Sequence, residues 1–303
     1  MNVSINTSTF AEHNREPLSK LEKAKMAYSL NPFKRTLKED EIIQAAHDAI
    51  GMIAGTESLT RRVLSQLPQL KVISRCGVGI DNVDLDYAKK QGIKVFATPG
   101  APTDAVAELT MGLILNLLRQ VLPMHQNLRS GIWKKQLGSL LKGKTVGIVG
   151  MGRIGQRLAQ LLQPFKVEVL YYDIKKVRPP RGCQAVTLPL LLKRSDIVTL
   201  HIAADSQRKP FIGASELQQM KKASWLINMA RGGVVDEQAL YEALAKGHLS
   251  GAALDVFSQE PYRGPLKDLP QVILTPHIGS YALEARAQME LEAVDNLLRG
   301  LKK

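Results

Sequence analysis

The sequence predicts an α/β protein, two parallel sheets wound with helices, and three observations carry that prediction. Short apolar runs alternate with amphipathic stretches along most of the chain, the pattern of strands joined by helical crossovers. The 303 residues, 45% of them hydrophobic, suffice for two domains that each bury their own core. A glycine-rich turn, Gly150–Gly155, stands between an apolar run and a helix-like segment, where open α/β sheets place ligands.

The first series of elements follows a polar start of about 38 residues in which no motif stands out. Strands are expected at Gly51–Ala54, Leu70–Ile73 and Ile93–Phe96, with helical spacing at Glu39–Ile50, Ser58–Gln66 and Leu85–Gln91. Thr103 to Gln120 is too long and too apolar all round for a surface helix, so it reads as a buried connecting helix. A second series begins at Lys144. Its strands are Thr145–Val149, Val167–Tyr172, Asp196–Ile202, Trp225–Met229, Ala252–Val256 and Val272–Leu274. Helices are expected at Ile154–Leu162, Leu188–Lys193, Ser215–Met220 and Glu237–Lys246. Six strands with short connections match a complete dinucleotide-binding sheet. A last amphipathic helix, Leu283–Leu298, is expected to rejoin the first domain.

Composition narrows the function classes. No stretch approaches the roughly 18 apolar residues of a membrane span, and the N-terminus lacks the pattern of a signal peptide. Cys76 and Cys183 form neither a disulfide framework nor a metal-binding CxxC, so no metal and a cytoplasmic location are expected. The net charge of +13 is concentrated in residues 101–200, with 15 basic and 5 acidic side chains. That excess is scattered and lacks interleaved aromatics, so nucleic acid is not an expected partner.

Gly150-Met-Gly152-Arg-Ile-Gly155 gains its meaning from context. It follows the strand, opens a helix, and is followed at the end of the next strand by Asp173, 18 residues beyond Gly155. Gly150 allows the tight turn, Gly152 lets backbone approach a pyrophosphate, and Gly155 lets helix pack on strand. The helix N-terminus offers free amides to the phosphates, and Asp173 accepts the ribose hydroxyls and repels a 2′-phosphate, favouring NAD. Lys175, Lys176 and Arg178 could offset that repulsion.

Three more segments end predicted strands. Asn228-Met-Ala-Arg231-Gly-Gly places a guanidinium just after a buried strand, where it can grip a carboxylate through two parallel hydrogen bonds. Asp255-Val-Phe-Ser-Gln-Glu260-Pro places two carboxylates after another, and Thr275-Pro-His277-Ile-Gly a histidine after the last. A glutamate bonded to an imidazole raises its proton affinity and fixes its orientation, which makes an acid–base pair.

At this point the chain resembles the D-isomer-specific 2-hydroxyacid dehydrogenases. Arg231-Gly-Gly-Val-Val-Asp-Glu, Gly251-Ala-Ala-Leu-Asp-Val-Phe with Glu260-Pro261, and Pro276-His277-Ile-Gly carry the resemblance. Ser74-Arg-Cys-Gly-Val-Gly-Ile-Asp-Asn-Val-Asp84 and Pro102-Thr-Asp-Ala-Val-Ala-Glu-Leu109 are most similar to the phosphoglycerate dehydrogenase branch. The resemblance implies a Rossmann domain (101–275) inserted in a smaller flavodoxin-like substrate domain (1–100 and 276–303), with catalysis in the cleft between them. It implies that Arg231 binds the substrate carboxylate and polarises the keto oxygen, that His277 is the general acid/base, and that Glu260 is its partner. Arg75 and the amides of Val78 and Gly79 would meet the substrate. Arg153 and Ile154 would meet the pyrophosphate; Ile202, Met229, Ala230, Asp255, Gly279 and Ser280 would surround the ribose and nicotinamide.

The expected reaction is the NAD-dependent interconversion of a D-2-hydroxy acid and a 2-keto acid, with 3-phosphoglycerate first among substrates. Reduction of glyoxylate, hydroxypyruvate or another 2-keto acid is the alternative, and a non-catalytic NAD(H)-sensing protein is the alternative of another class. Pro102 stands where many phosphoglycerate enzymes carry a polar residue, and Ala203-Ala-Asp-Ser where the family often has a proline-rich loop. Ser280 stands where Gly or Ala is common, and the chain stops at Lys303 without the extra regulatory domain of longer relatives. By resemblance a homodimer is expected, in contact through the helix at Thr103–Gln120.

Overall fold

The structure is a computed structural model that describes residues 2–203 and 210–302. The loop expected after Ala203 lies, from Ala204 onward, outside the described residues. The chain divides into two units, Met1–Pro102 with Ser280–Lys303, and Thr103–Gly279.

The first unit runs β1 (Asn2–Ile5), α1 (Glu16–Lys23), β2 (Ala27–Leu30), α2 (Glu39–Ala46), β3 (Ala49–Ala54), α3 (Arg61–Ser65), β4 (Val72–Arg75), α4 (Leu85–Lys90) and β5 (Lys94–Phe96). All pairs are parallel, in the order β2-β1-β3-β4-β5, the flavodoxin-like arrangement. Ile42, Met52, Leu59 and Ile73 fill one face of the sheet. Val3, Ile5, Leu21 and Val72 fill the other, against Met289 and Leu297 of the C-terminal helix Leu283–Leu301.

Two strands were not visible in the sequence. β1 is buried although it carries Ser4, whose hydroxyl finds an acceptor in Asn6 Oδ1 at 2.6 Å. β2 is an edge strand with little burial, so it needs no apolar pattern. β4 lies two residues later than expected. Its buried Ser74 donates to the Ala293 carbonyl at 2.7 Å, which hides a strand position behind a polar residue.

The second unit begins with α5 (Thr103–Arg119) and α6 (Val121–Arg129), then β6 (Thr145–Val149), α7 (Arg153–Leu162), β7 (Glu168–Tyr172), β8 (Cys183–Ala185) and α8 (Leu188–Arg194). It continues through β9 (Ile197–Leu200), α9 (Ala214–Gln219), β10 (Trp225–Asn228), α10 (Glu237–Ala245), β11 (Gly251–Leu254) and β12 (Val272–Leu274). The seven strands are parallel in the order β12-β11-β10-β9-β6-β7-β8. The expected six-stranded sheet thus gains β8, a three-residue edge strand with no apolar run to announce it. The order reverses at β6, and that switch point is where such sheets bind ligands.

α5 buries Val106, Met111, Ile114 and Leu118 within its own unit, as the buried connecting helix expected. Exposed apolar surface lies further on, at Val121, Leu128, Ile132, Trp133, Leu137 and Leu140, with Trp133 81% and Leu137 95% exposed. Among the described residues no single helix is long and apolar enough to cross a membrane; α5 and α6 pass only together, and they bend by 66°. Pro276–Gly279, placed in the first domain from the sequence, fall in the second unit, because the Ile278 and Gly279 amides bond to Asp255 there.

Candidate active site

The turn after β6 shows what each fingerprint glycine does. A Cβ on Gly150 would stand 2.6 Å from the His201 carbonyl oxygen, and its φ of +95° is costly for other residues. A Cβ on Gly155 would stand 2.2 Å from the Gly150 carbonyl oxygen, so these two glycines serve the chain's own packing. Gly152 differs: a Cβ there would meet nothing within 4 Å. It is the N-cap of α7 with no side-chain cap, so the helix presents uncapped amides beside an open cradle. That arrangement fits a dinucleotide pyrophosphate, with exposed Arg153 and half-buried Ile154 opening the helix.

Asp173, beyond the end of β7, accepts the Met151 amide on Oδ2 and the Lys175 amide on Oδ1, both at 2.8 Å. The carboxylate is thereby held beside the turn, with lone pairs left for ribose hydroxyls. Ile202 packs on the same turn, its Cγ2 2.9 Å from where a Gly150 Cβ would be. The two cradle glycines predict opposite phenotypes. Gly152→Ala costs about 1 kcal/mol as an N-cap change, yet should weaken dinucleotide binding tenfold or more in a fluorescence titration. Gly155→Ala should instead lower thermal stability by about 3 kcal/mol or more, at the upper end of overpacking.

The carboxyl ends of β10, β11 and β12 carry the second group of residues. Asn228 ends β10 and shapes the turn that follows, its Nδ2 donating to the Arg231 carbonyl at 3.2 Å and its Oδ1 accepting from the Ala230 amide at 3.1 Å. Arg231 Nη1 donates to the Ala230 carbonyl at 2.8 Å. Met229 and Ala230 are buried.

Asp255, 2% exposed, organises the histidine turn. Its Oδ1 accepts from Thr275 Oγ1 at 2.6 Å and the Ile278 amide at 2.8 Å, and its Oδ2 from the Gly279 amide at 2.8 Å. Three intrachain donors meet this carboxylate, which thereby pins the turn. Burial pushes its carboxyl above the usual range despite those donors. His277, between the pinned residues, has a φ of 54°, a left-handed conformation uncommon outside glycine and held here by its neighbours. Thr275 is a supporting residue that no spacing rule singles out.

His277 Nδ1 and Glu260 Oε2 are 2.9 Å apart, and Glu260 Oε1 accepts from the Phe257 amide at 3.1 Å. Burial pushes the Glu260 carboxyl up, but the His277 hydrogen bond and charge, the Phe257 amide and Arg231 together outweigh it. The group stays below the usual carboxylate range and is charged at neutral pH. A carboxylate only accepts, so Nδ1 carries the shared proton and Nε2 is left to exchange one with a ligand. Glu260→Gln keeps the shape and removes the negative charge beside the imidazole. Oxidation, which needs the free base, should then extend to lower pH, and reduction should fall off earlier as pH rises.

In the first unit, Arg75 ends β4. Its Nε donates to Asn82 Oδ1 at 3.2 Å and its Nη1 to the Cys76 carbonyl at 2.7 Å, while Asn82 Nδ2 donates to the Glu57 carbonyl at 2.6 Å. The guanidinium braces the glycine turn, a Gly77 Cβ lying 2.6 Å from Nη1. The Val78 and Gly79 amides donate to no acceptor among the described residues, which leaves them for an anion. Ser280 opens the return of the chain into this unit.

A parallel sheet with a phosphate cradle at its switch point and an arginine, glutamate and histidine at neighbouring strand ends defines a dinucleotide-dependent oxidoreductase. Residues 111–279 match the family described as D-isomer specific 2-hydroxyacid dehydrogenase, NAD binding domain. The chain is 44% identical over 261 residues to a glyoxylate reductase of Thermofilum pendens, covering 82% of this chain and 76% of that protein. It is 39% identical over 276 residues to a D-3-phosphoglycerate dehydrogenase of Methanocaldococcus jannaschii, covering 87% of this chain and 52% of that one. Among solved structures, the TT0316 protein of Thermus thermophilus superposes with a TM-score of 0.92 at 36% identity, over 100% of this chain and 97% of that one. The chain belongs to the D-isomer-specific 2-hydroxyacid dehydrogenases and is an NAD-dependent oxidoreductase.

Proposed function

We propose that the protein reduces a small 2-keto acid of the glyoxylate and hydroxypyruvate class to the D-2-hydroxy acid. The observation that carries the chemistry is the Glu260–His277 pair beside Arg231, at the ends of β11, β12 and β10. Arg231 holds the substrate carboxylate and polarises the keto oxygen. NADH, when bound, supplies the hydride that goes to the keto carbon. His277 gives its Nε2 proton to the keto oxygen, completing the hydroxyl, and Glu260 keeps the imidazole oriented and its cationic form favoured.

The choice of substrate rests on two supports. Identity is higher to the glyoxylate reductase than to the phosphoglycerate dehydrogenase, 44% against 39%, and the match spans more of the former, 76% against 52%. Pro102 is buried and has no side-chain donor for a phosphate. The test is kcat/KM for NADH consumption with glyoxylate, hydroxypyruvate, pyruvate and longer 2-keto acids, beside NADH formation with 3-phosphoglycerate. Higher kcat/KM for 3-phosphoglycerate than for glyoxylate and hydroxypyruvate overturns the substrate assignment. No turnover on the whole panel with NADH binding intact supports the non-catalytic alternative. A homodimer is proposed as well, through the helix at 103–120 and the exposed apolar side chains that follow it from Val121 to Leu140; sedimentation should show a dimer, and a monomer at micromolar concentration refutes it.

A further inference from the structure

Glu237 belongs to the Arg231-Gly-Gly-Val-Val-Asp-Glu stretch, yet nothing so far gives it a task. It opens α10 beside the N-cap Asp236, whose Oδ1 accepts the Gln238 and Ala239 amides at 3.1 and 3.0 Å. The cap is therefore complete without Glu237. Its Oε1 reaches instead to the loop after β11, where it accepts both the amide and the hydroxyl of Ser258, at 2.7 and 2.6 Å. Ionised acceptors make the stronger hydrogen bonds, and this one takes two donors from a single residue.

That loop carries Glu260. Ser258, Gln259 and Glu260 are exposed, so apolar burial does not fix them, although Phe257 before them is buried and stacks on Tyr262 at 4.4 Å. A second contact shows how close the two loops run: a Cβ on Gly232 would stand 1.9 Å from the Phe257 carbonyl oxygen and 2.8 Å from the Ser258 nitrogen. The glycine next to Arg231 thus lets the loops meet backbone to backbone, and Glu237 fastens them one residue further on. The next link is the Phe257 amide on Glu260 Oε1, and the last is Glu260 Oε2 on His277 Nδ1. The charged groups facing Glu260 are His277 and Arg231.

We infer that Glu237 is a positioning residue of the acid–base pair: through Ser258 it fixes the loop that aims Glu260 at His277. The inference rests on the reading of Glu260 and His277 as that pair. It separates Glu237 from an ordinary first-turn acid, whose loss would change stability but not the proton step.

The test is a double-mutant cycle of Glu237→Ala and Glu260→Gln in the intact protein, reading kcat, KM and the pH–rate profile for 2-keto acid reduction. Glu237→Ala should lower kcat by about tenfold with KM for the keto acid and NADH changed less than about twofold, and move the pH limb in the same direction as Glu260→Gln. In the Glu260→Gln background the same change should cost less than about twofold, because coupled residues are not additive. Glu237→Gln, which keeps an acceptor for Ser258, should recover most of the loss. Additive losses, or an unmoved pH limb in a folded Glu237→Ala protein, overturn the inference. Should Glu237→Ala fail to fold by circular dichroism, Ser258→Ala removes the hydroxyl contact from the other side and must shift the limb in the same direction; no shift overturns the inference. Glu260→Gln that itself leaves the profile unchanged sinks the acid–base reading and the inference with it, whereas a shift there without one in the Glu237 variants sinks the inference alone.

Discussion

Replacing His277 by alanine is expected to lower kcat by roughly 10²–10⁴-fold, the scale of general acid–base catalysis, while NADH binds with little change. The argument starts from the hydrogen bond between Nδ1 and Glu260, which leaves Nε2 as the nitrogen able to exchange a proton with substrate. Glu260 does not stand in for it, since Glu260 lies on the Nδ1 side of the ring, away from Nε2, with Oε1 held by the Phe257 amide. The fold should survive, because Asp255 pins the turn through Thr275, Ile278 and Gly279 and none of those bonds uses the imidazole. One complication is backbone: at φ 54° a left-handed alanine costs roughly 1–2 kcal/mol, whereas asparagine tolerates that region. His277→Asn is therefore the companion variant. Both should lose kcat alike if the proton matters, and only alanine should lose stability. A kcat within tenfold of wild type in the asparagine variant would remove His277 from the proton step.

How much of this was legible in the sequence depends on whether a residue's task is local or comes from across the fold. β6 and β12 fall where their apolar runs placed them, Thr145–Val149 and Val272–Leu274, because a central or core-packed strand must be apolar along its own length. The fingerprint glycines are legible through their spacing, although Gly155 answers to the Gly150 carbonyl five residues away and Gly150 to His201 at the end of another strand. β2 and β8 are edge strands held by backbone pairing, which leaves no trace in side-chain type. α6 buries none of its residues within the described chain, so no amphipathic stripe marks its boundary. The site divides the same way. Arg231, Glu260 and His277 could be proposed from position after strands, but the work of Asp255 and Arg75 could not. Asp255 bonds to residues 20 to 24 positions later, and Arg75 to the carbonyl and amide groups that set the glycine turn. A sequence states that a carboxylate or guanidinium is present near a site; only the fold shows whether its hydrogen bonds are already committed.

Arg231→Lys is expected to raise KM for the keto acid and lower kcat together, each by roughly tenfold or more, because a lost charge-assisted hydrogen bond is worth about 1.5–3 kcal/mol. Lysine keeps the charge and loses the planar fork, so it cannot hold a carboxylate by two parallel bonds. The carboxylate contact is present in ground and transition states alike, and its loss appears in KM. Polarisation of the keto oxygen grows as negative charge develops there, and its loss appears in kcat. Two other readings should stay still. NADH affinity should hold, since the cradle of Gly150–Gly155 and Asp173 uses no atom of Arg231. The pH limb should also hold, because the cation that helps keep the Glu260 carboxyl low is preserved in lysine. That pattern separates this variant from Glu260→Gln, where the limb moves, and from a misfolded protein, where every reading degrades. Near-wild-type KM and kcat for Arg231→Lys on the best substrate would sink the clamp and leave Arg231 with its bond to the Ala230 carbonyl as a residue that shapes the turn.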